Sequence, residues 1–190
     1  MDSRSVAVIV GSLRQGAMSR KVARALMAVA PESLRCGIVE IRALTLYDQD
    51  VQDAGAPESW TEFRDAIRST DGVLFVTPEY NRSVPGVLKN AVDIGSRPGG
   101  KSAWRGKPAG VVSVSNSRFS GLGASHHLRQ SLVSLDMPAM AQPEACVGGS
   151  EALFGPDGVL TDEPTRALFA KFMTAFAAWV ELHAGARPRP

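Results

Sequence analysis

The sequence lacks the features that mark secreted, membrane-spanning and disulfide-bonded proteins. Among its 190 residues it has only two cysteines, Cys36 and Cys146, and no apolar run long enough to cross a bilayer. Residues 1–5 are too few and too polar to begin a signal peptide. We therefore expect a cytoplasmic protein without a membrane partner, in which both cysteines stay reduced and pack as small buried apolar side chains.

An excess of charge of one sign is also missing. Lys and Arg together number 21 and Asp and Glu 19, which leaves a formal charge of +2, and the basic residues are scattered along the chain. Domains that bind nucleic acid concentrate such residues, so we expect no nucleic-acid partner. The cysteines and histidines do not occur at the spacing of metal ligands, and we expect no metal site.

What the sequence does contain is a regular alternation of apolar strands with amphipathic helices. The strands are predicted at residues 6–10, 37–41, 72–77, 109–114 and within 139–147. This order is typical of an α/β fold in which helices cover both faces of a parallel sheet. We expect one domain over residues 1–186, followed by a disordered tail at residues 187–190.

Polar residues between the strands give local predictions about loops and helix ends. Residues 42–59 are predicted to form a long surface loop. Ser59 and Glu62 have the spacing of a capping box for the helix that follows this loop. Ser83 stands just before Pro85, which suits the first turn of the next helix, and is predicted to cap it.

The most informative stretch is VAVIVGSLRQGAMS, at residues 6–19. It passes from a buried strand through a glycine-containing loop into a helical pattern that begins near Ser19. The free N–H groups of a helix N-terminus bind anions. The hydroxyl of Ser12 and the guanidinium of Arg14 together suit a phosphate monoester. The stretch therefore predicts a phosphate site.

Two further polar loops are expected beside this one. Parallel strands joined by right-handed crossovers all end at the same edge of their sheet. The loop at residues 79–83, after the third strand, and the loop at residues 115–117, after the fourth, should meet the first loop there. Because ligands bind at this edge in open sheets, the sequence predicts a site built by three loops.

Common phosphate-binding motifs do not explain the first loop. A Walker loop needs Lys and Ser or Thr where this chain has Ala17 and Met18. The dinucleotide fingerprint needs a glycine where Leu13 stands. Arg20 and Lys21, at the start of the helix, either face a dianionic phosphate or point into solvent. The residues alone leave the identity of the phosphate open.

Two stretches carry a family resemblance: GSLRQGAMS at residues 11–19 and TPEYNRSVPGVLKNAVDIGSR at residues 77–97. With them the chain resembles the NAD(P)H-dependent FMN reductase family, in its quinone and chromate reductase branch. The resemblance implies a flavodoxin-like three-layer sandwich whose five-stranded parallel sheet has the order 2-1-3-4-5. It also implies FMN bound non-covalently at the sheet edge, in a homodimer or homotetramer whose partner subunit borders the flavin.

The resemblance also assigns individual residues to the flavin. The matching cofactor-binding positions are Ser12, Arg14 and Ser19 at the phosphate, Pro78, Glu79, Tyr80 and Asn81 beside the ring, and Ser115 in the third loop. The chain departs from the branch where Ala17 replaces a frequent serine, Ser19 a frequent asparagine and Arg82 a frequent aromatic. Ile94 and Gly95 also replace a segment that contains Trp. Arg82, on the substrate side, either attracts anionic substrates or is a solvated loop arginine.

The activity that the resemblance implies is electron transfer from NADPH or NADH through FMN to a quinone, flavin, azo or chromate-like acceptor, by a ping-pong mechanism. Such chemistry is carried by the cofactor, so no catalytic side chain is expected. Two alternatives stay open. One is a flavodoxin-like electron carrier, against which the charge of +2 argues because such carriers are typically acidic. The other is a non-catalytic FMN-binding or regulatory protein.

Overall fold

Five strands form one parallel sheet in the computed structural model, which describes residues 3–184. They are β1 (Arg4–Val10), β2 (Leu34–Ile38), β3 (Gly72–Pro78), β4 (Ala109–Val114) and β5 (Ala145–Val147). The order β2-β1-β3-β4-β5 confirms the predicted flavodoxin-like topology. β1, β3 and β4 are buried along most of their length, because helices cover both faces of the sheet. The tail predicted at residues 187–190 lies outside the described residues.

Six α-helices form the two outer layers of the sandwich. They are α1 (Met18–Ala28), α2 (Gln49–Gly55), α3 (Glu58–Arg68), α4 (Gly86–Gly95), α5 (Leu122–Ser134) and α6 (Glu163–Ala184). α1 and α6 pack on one face, where Leu26, Phe172 and Phe176 are buried. α3, α4 and α5 pack on the other, around Trp60 and Trp104. Within residues 3–184, no helix is both long and apolar enough to span a bilayer.

The edge strand β2 begins at Leu34 rather than at Gly37, where the sequence predicts it. It pairs in parallel with β1, and only one side of it is covered by another strand. Leu34 is buried whereas Arg35 and Gly37 are exposed. An edge strand that shows one face to solvent has no continuous apolar run, so a prediction based on such runs places it too late.

Two segments differ from the prediction in their secondary structure. Residues 42–59 are not all loop, because they contain α2, whose start is capped by Asp48: its carboxylate accepts a hydrogen bond of 2.8 Å from the backbone N–H of Asp50. The fifth strand is limited to Ala145–Val147.

The two predicted helix caps are wrong. α3 begins directly after Pro57, which places Ser59 inside the helix, and Ser59 and Glu62 form no capping box. α4 has no side-chain cap either. The hydroxyl of Ser83 instead lies 2.6 Å from Nδ1 of His127. Both serines have the right spacing for a cap, but a proline in each case sets the start of the helix.

The two cysteines are half-buried rather than fully buried. Burial raises the pKa of the Cys36 thiol to about 11. Because the reactive species is the thiolate, these surroundings make Cys36 a poor nucleophile at neutral pH.

Candidate functional site

The loops after β1, β3 and β4 meet at one edge of the sheet, as predicted. Together with the turn after β5 they surround a cavity of about 210 Å³. The residues that line it are Ser12, Arg14, Ala17, Met18, Ser19, Pro78, Glu79, Tyr80, Val114, Ser115, Asn116, Ser150 and Glu151. All the residues that the sequence assigns to the site are therefore brought together here, except Asn81 and Arg82.

The N-terminus of α1 lies at this cavity. Ala17 precedes the helix with φ −61° and ψ 138°, and no side chain caps it. The N–H of Arg20 donates to the Ala17 carbonyl at 3.0 Å, so Met18 and Ser19 carry the helix donors that have no intrahelical acceptor. The first turn contains no acidic residue. An uncapped helix start, at the positive end of the helix dipole, is suited to an anion.

Two buried hydroxyls stand beside these backbone donors. Ser19 is 1% exposed, and its Oγ has no hydrogen-bond partner among the described residues. Ser12 is 4% exposed, and its Oγ accepts a hydrogen bond of 3.3 Å from the N–H of Arg14. A buried hydroxyl without a partner costs about 1–3 kcal/mol, which a phosphate oxygen in the cavity would relieve. These residues therefore fit the phosphate of FMN.

The arginines of this region divide into two kinds. Arg14 is exposed at the cavity and makes no ion pair or side-chain hydrogen bond with residues 3–184. Arg20 binds the carboxylate of Glu40 through both terminal nitrogens, at 2.7 and 2.8 Å. This hydrogen-bonded pair lowers the pKa of Glu40 and raises the pKa of Arg20. Arg20 thus takes neither of its predicted roles, while Lys21 lines a separate cavity with Asp157.

The loop after β3 makes a two-residue hairpin turn. Tyr80 and Ser83 exchange backbone hydrogen bonds of 2.9 and 3.0 Å. Between them Asn81 and Arg82 have φ of +50° and +66°, the left-handed conformations of a type I′ turn. Asn adopts this conformation readily, whereas for a long side chain such as that of Arg82 it costs about 1–3 kcal/mol. The turn carries both residues outside the lining of the cavity.

The Glu79 carboxylate ties this hairpin to α5. Its Oε2 accepts a hydrogen bond of 3.1 Å from the backbone N–H of Ala124, in the first turn of α5. Its Oε1 lies 3.4 Å from Nη1 of Arg82, whose guanidinium stands 4.3 Å above the ring of Phe119. A Cβ on Gly123 would come within 2.9 Å of both the Glu79 carboxylate and the Arg82 carbonyl oxygen. The loop and the helix are therefore fitted closely to each other.

Sequence reasoning missed several residues of the lining. Met18 contributes backbone at the helix start, and Asn116 accepts a hydrogen bond of 3.4 Å from the N–H of Glu151 through its side-chain oxygen. Ser150 and Glu151 follow β5, in a short 3₁₀ helix over Ser150–Leu153. The rule that brings three strand ends to one edge also applies to β5, so this signal was present in the sequence.

Comparison with known proteins identifies the family and agrees with the fold. The sequence profile of a family described as NADPH-dependent FMN reductase matches residues 4–152. The chain belongs to this family. A quinone reductase of Pseudomonas putida strain KT2440 is 58% identical over 179 residues, which cover 94% of this chain and 96% of the relative. A 2-hydroxy-1,4-benzoquinone reductase of Burkholderia is 42% identical, over 92% and 95% of the two chains.

A solved structure shows the same likeness in three dimensions. The flavoenzyme FerB of Paracoccus denitrificans, an NAD(P)H:acceptor oxidoreductase, superposes with a TM-score of 0.89 and 38% sequence identity, over 95% of this chain and 98% of that one. For this FMN reductase family member, the predictions of an oxidoreductase with FMN as cofactor and NAD(P)H as electron donor are confirmed at the level of the family. The roles of the individual residues stay predictions.

Proposed function

We propose that this protein uses bound FMN to pass electrons from NAD(P)H to a quinone. The observation that carries the proposal is the buried Ser19 hydroxyl, which has no partner within residues 3–184 and lies at the uncapped start of α1 in the cavity. Ser12, Ser19 and the backbone N–H groups of Met18 and Ser19 hold the phosphate, with the Arg14 guanidinium at the open side.

The ring side of the site is formed by residues of the β3 and β4 loops. Pro78, Glu79 and Tyr80 lie along one side of the cavity, and Ser115 along another. The Ser115 hydroxyl accepts a hydrogen bond of 3.1 Å from the N–H of Ser117, which fixes its orientation. FMN supplies the redox chemistry when it is bound, by taking up a hydride and giving electrons to an acceptor. These residues orient the ring and leave one side open to substrates.

Quinones are the acceptors that the proposal favours, because relatives over nearly the whole chain are named for quinone reduction. Free flavin, azo compounds and chromate-like oxyanions belong to the same proposal as secondary acceptors. Arg82 is exposed near the site and makes one ion pair, with Glu79, and a stacking contact with Phe119. We assign it to the substrate side, where a cation attracts anionic substrates.

A homodimer or homotetramer is the assembly that the proposal includes. Tyr80 and Phe119, in the loops at this edge of the sheet, are 49% and 52% exposed, and Leu122, the first residue of α5, is 41% exposed. Large apolar side chains grouped on a surface mark contacts between proteins. Light scattering on the purified protein measures the mass directly, and a monomer would contradict this part of the proposal.

The test of the function uses one preparation. The purified protein is expected to show flavin absorbance and to oxidise NADPH or NADH when a quinone is added. A colourless protein that FMN cannot reconstitute would rule out the enzyme. A yellow protein that never oxidises NAD(P)H would identify an electron carrier. Ping-pong turnover predicts parallel double-reciprocal plots when both substrates are varied, and intersecting plots would contradict it.

A further inference from the structure

A second cavity, of about 490 Å³, opens on the outer side of the loop after β1. It is lined by Leu13, Gln15, Arg20, Arg24, Glu40, Arg42 and Ala43. The loop between β1 and α1 separates the two cavities, since Ser12 and Arg14 line the first while Leu13 and Gln15 line the second. A ligand in the second cavity therefore lies next to the proposed flavin phosphate.

The second cavity is strongly basic. It contains three guanidinium groups and one carboxylate. Both oxygens of the Glu40 carboxylate are held by Arg20, so the charge of this pair is balanced. Arg24 is exposed and has no hydrogen bond or ion pair with the described residues. Arg42 donates a hydrogen bond to the carbonyl oxygen of Leu13. Arg24 and Arg42 thus leave about two positive charges for a ligand.

We propose that this cavity binds the 2′-phosphate of NADPH, with Arg24 and Arg42 as its ligands. The inference rests on the proposed function, because the nicotinamide of the same molecule has to reach the first cavity. A phosphate monoester carries roughly −1.5 to −2 charges at pH 7, which matches two guanidinium groups that form no ion pair with the described residues. The planar fork of arginine also matches phosphate oxygens in geometry.

This assignment makes the cluster a determinant of donor preference. NADH lacks the 2′-phosphate and would leave both guanidinium groups in water, so the protein should favour NADPH. A purely structural cluster, in which Arg42 only fixes the loop through Leu13, predicts no discrimination between the donors. The two accounts therefore predict different ratios of KM for NADH to KM for NADPH.

The first experiment compares donors in steady-state kinetics. Arg24→Gln should raise KM for NADPH about tenfold, the lower end of what loss of a charge-assisted hydrogen bond produces, and leave KM for NADH unchanged. Arg24→Glu should raise it further. The matched control is Arg35→Gln, an exposed arginine on β2 that does not line this cavity. A change that is equal for both donors, or no change for either, would overturn the proposal.

The second experiment needs no turnover. Calorimetric titration of the purified protein should show tighter binding of 2′,5′-ADP than of 5′-AMP, and Arg24→Gln should remove most of the difference. The proposal is contradicted if the two nucleotides bind equally, or if inorganic phosphate at equal concentration displaces 2′,5′-ADP. Either result would show that the cavity does not recognise the 2′-phosphate of the nucleotide. If the protein binds no FMN, the proposed function fails, while this titration still decides the second cavity.

Discussion

In the loop after β1 and the first turn of α1 that follows it, Arg14 and Ser19 reach the cavity without partners among the described residues, whereas the side chains of Glu79, Arg82 and Ser83 in the loop after β3 are already bonded. The first loop keeps hydrogen-bonding capacity for a ligand. In the second loop, these side chains already bond to other parts of the protein, and the bonds hold the loop in one conformation. Unpaired donors supply binding free energy, while internally bonded loops supply position.

Because of this difference, binding of the FMN phosphate and binding of the FMN ring can be measured separately. Riboflavin has the same ring as FMN and lacks its phosphate. A change in the loop after β1 should therefore weaken FMN and spare riboflavin, whereas a change in the loop after β3 should weaken both by the same factor. The ratio of the two affinities reports which loop has been altered.

Arg14→Ala is expected to have the largest effect. Loss of a charge-assisted hydrogen bond to phosphate should weaken FMN binding by about 1.5–3 kcal/mol, roughly tenfold to a hundredfold. Quenching of flavin fluorescence, on titration with the apoprotein, measures both FMN and riboflavin. Arg35→Ala, at an exposed arginine of β2, is the control. Equal losses for the two flavins would show that Arg14 does not bind the phosphate.

Glu79→Ala tests the loop after β3. It removes the acceptor of the Ala124 N–H at the start of α5, and should lower the free energy of unfolding by about 1–2 kcal/mol, as loss of a helix cap does. FMN and riboflavin should weaken together. Urea denaturation gives the stability, and Glu62→Ala, at an exposed glutamate of α3, is the control. A loss for FMN alone would contradict the division between the two loops.

The same difference explains what the sequence can and cannot predict. Ser12 and Arg14 follow from a strand, a loop and a helix start that are contiguous in the chain, so local rules predict them, whereas Ser19 is assigned by the family resemblance. Asn81 and Arg82 stand in the matching motif, yet the hairpin carries them out of the lining. The geometry of this turn depends on the backbone hydrogen bonds between Tyr80 and Ser83, and the composition of the sequence does not predict these bonds.

The features that the sequence does not predict depend on contacts between residues that are distant in the chain. The central strands are continuous apolar runs and are predicted closely, whereas β2, exposed on one face, is placed too late. The cap that Glu79 provides for α5 joins residues 79 and 124, and the pair of Arg20 with Glu40 joins a helix to the segment after β2. No periodicity or spacing signals such contacts, since they follow from how the layers pack.

Ser19→Ala should act in opposite directions on the two states of the protein. Removing a buried hydroxyl without a partner should raise the free energy of unfolding of the apoprotein by about 1 kcal/mol. It should also weaken FMN binding by a similar amount, because the phosphate loses a donor. Ser134→Ala, at an exposed serine of α5, controls for the higher helix propensity of alanine. If the substitution raised both the free energy of unfolding and the affinity for FMN, or lowered both, the role of Ser19 would be contradicted.

The smallest effect is expected at the Arg20–Glu40 pair, which braces the start of α1 on the outer side of the β1 loop. The hydrogen bond from Arg20 holds the pKa of Glu40 below its ordinary value of 4.5. Glu40 therefore binds protons more readily when the chain is unfolded, and the pair stabilises the protein above pH 4.5, an effect lost as the pH falls through the lowered pKa. Because the Glu40 side chain is 59% exposed, we expect no more than about 0.5 kcal/mol. Denaturation of the wild type and of Glu40→Gln between pH 3 and 7 should give curves that converge at the acid end, whereas parallel curves would show that the pair does not stabilise the loop.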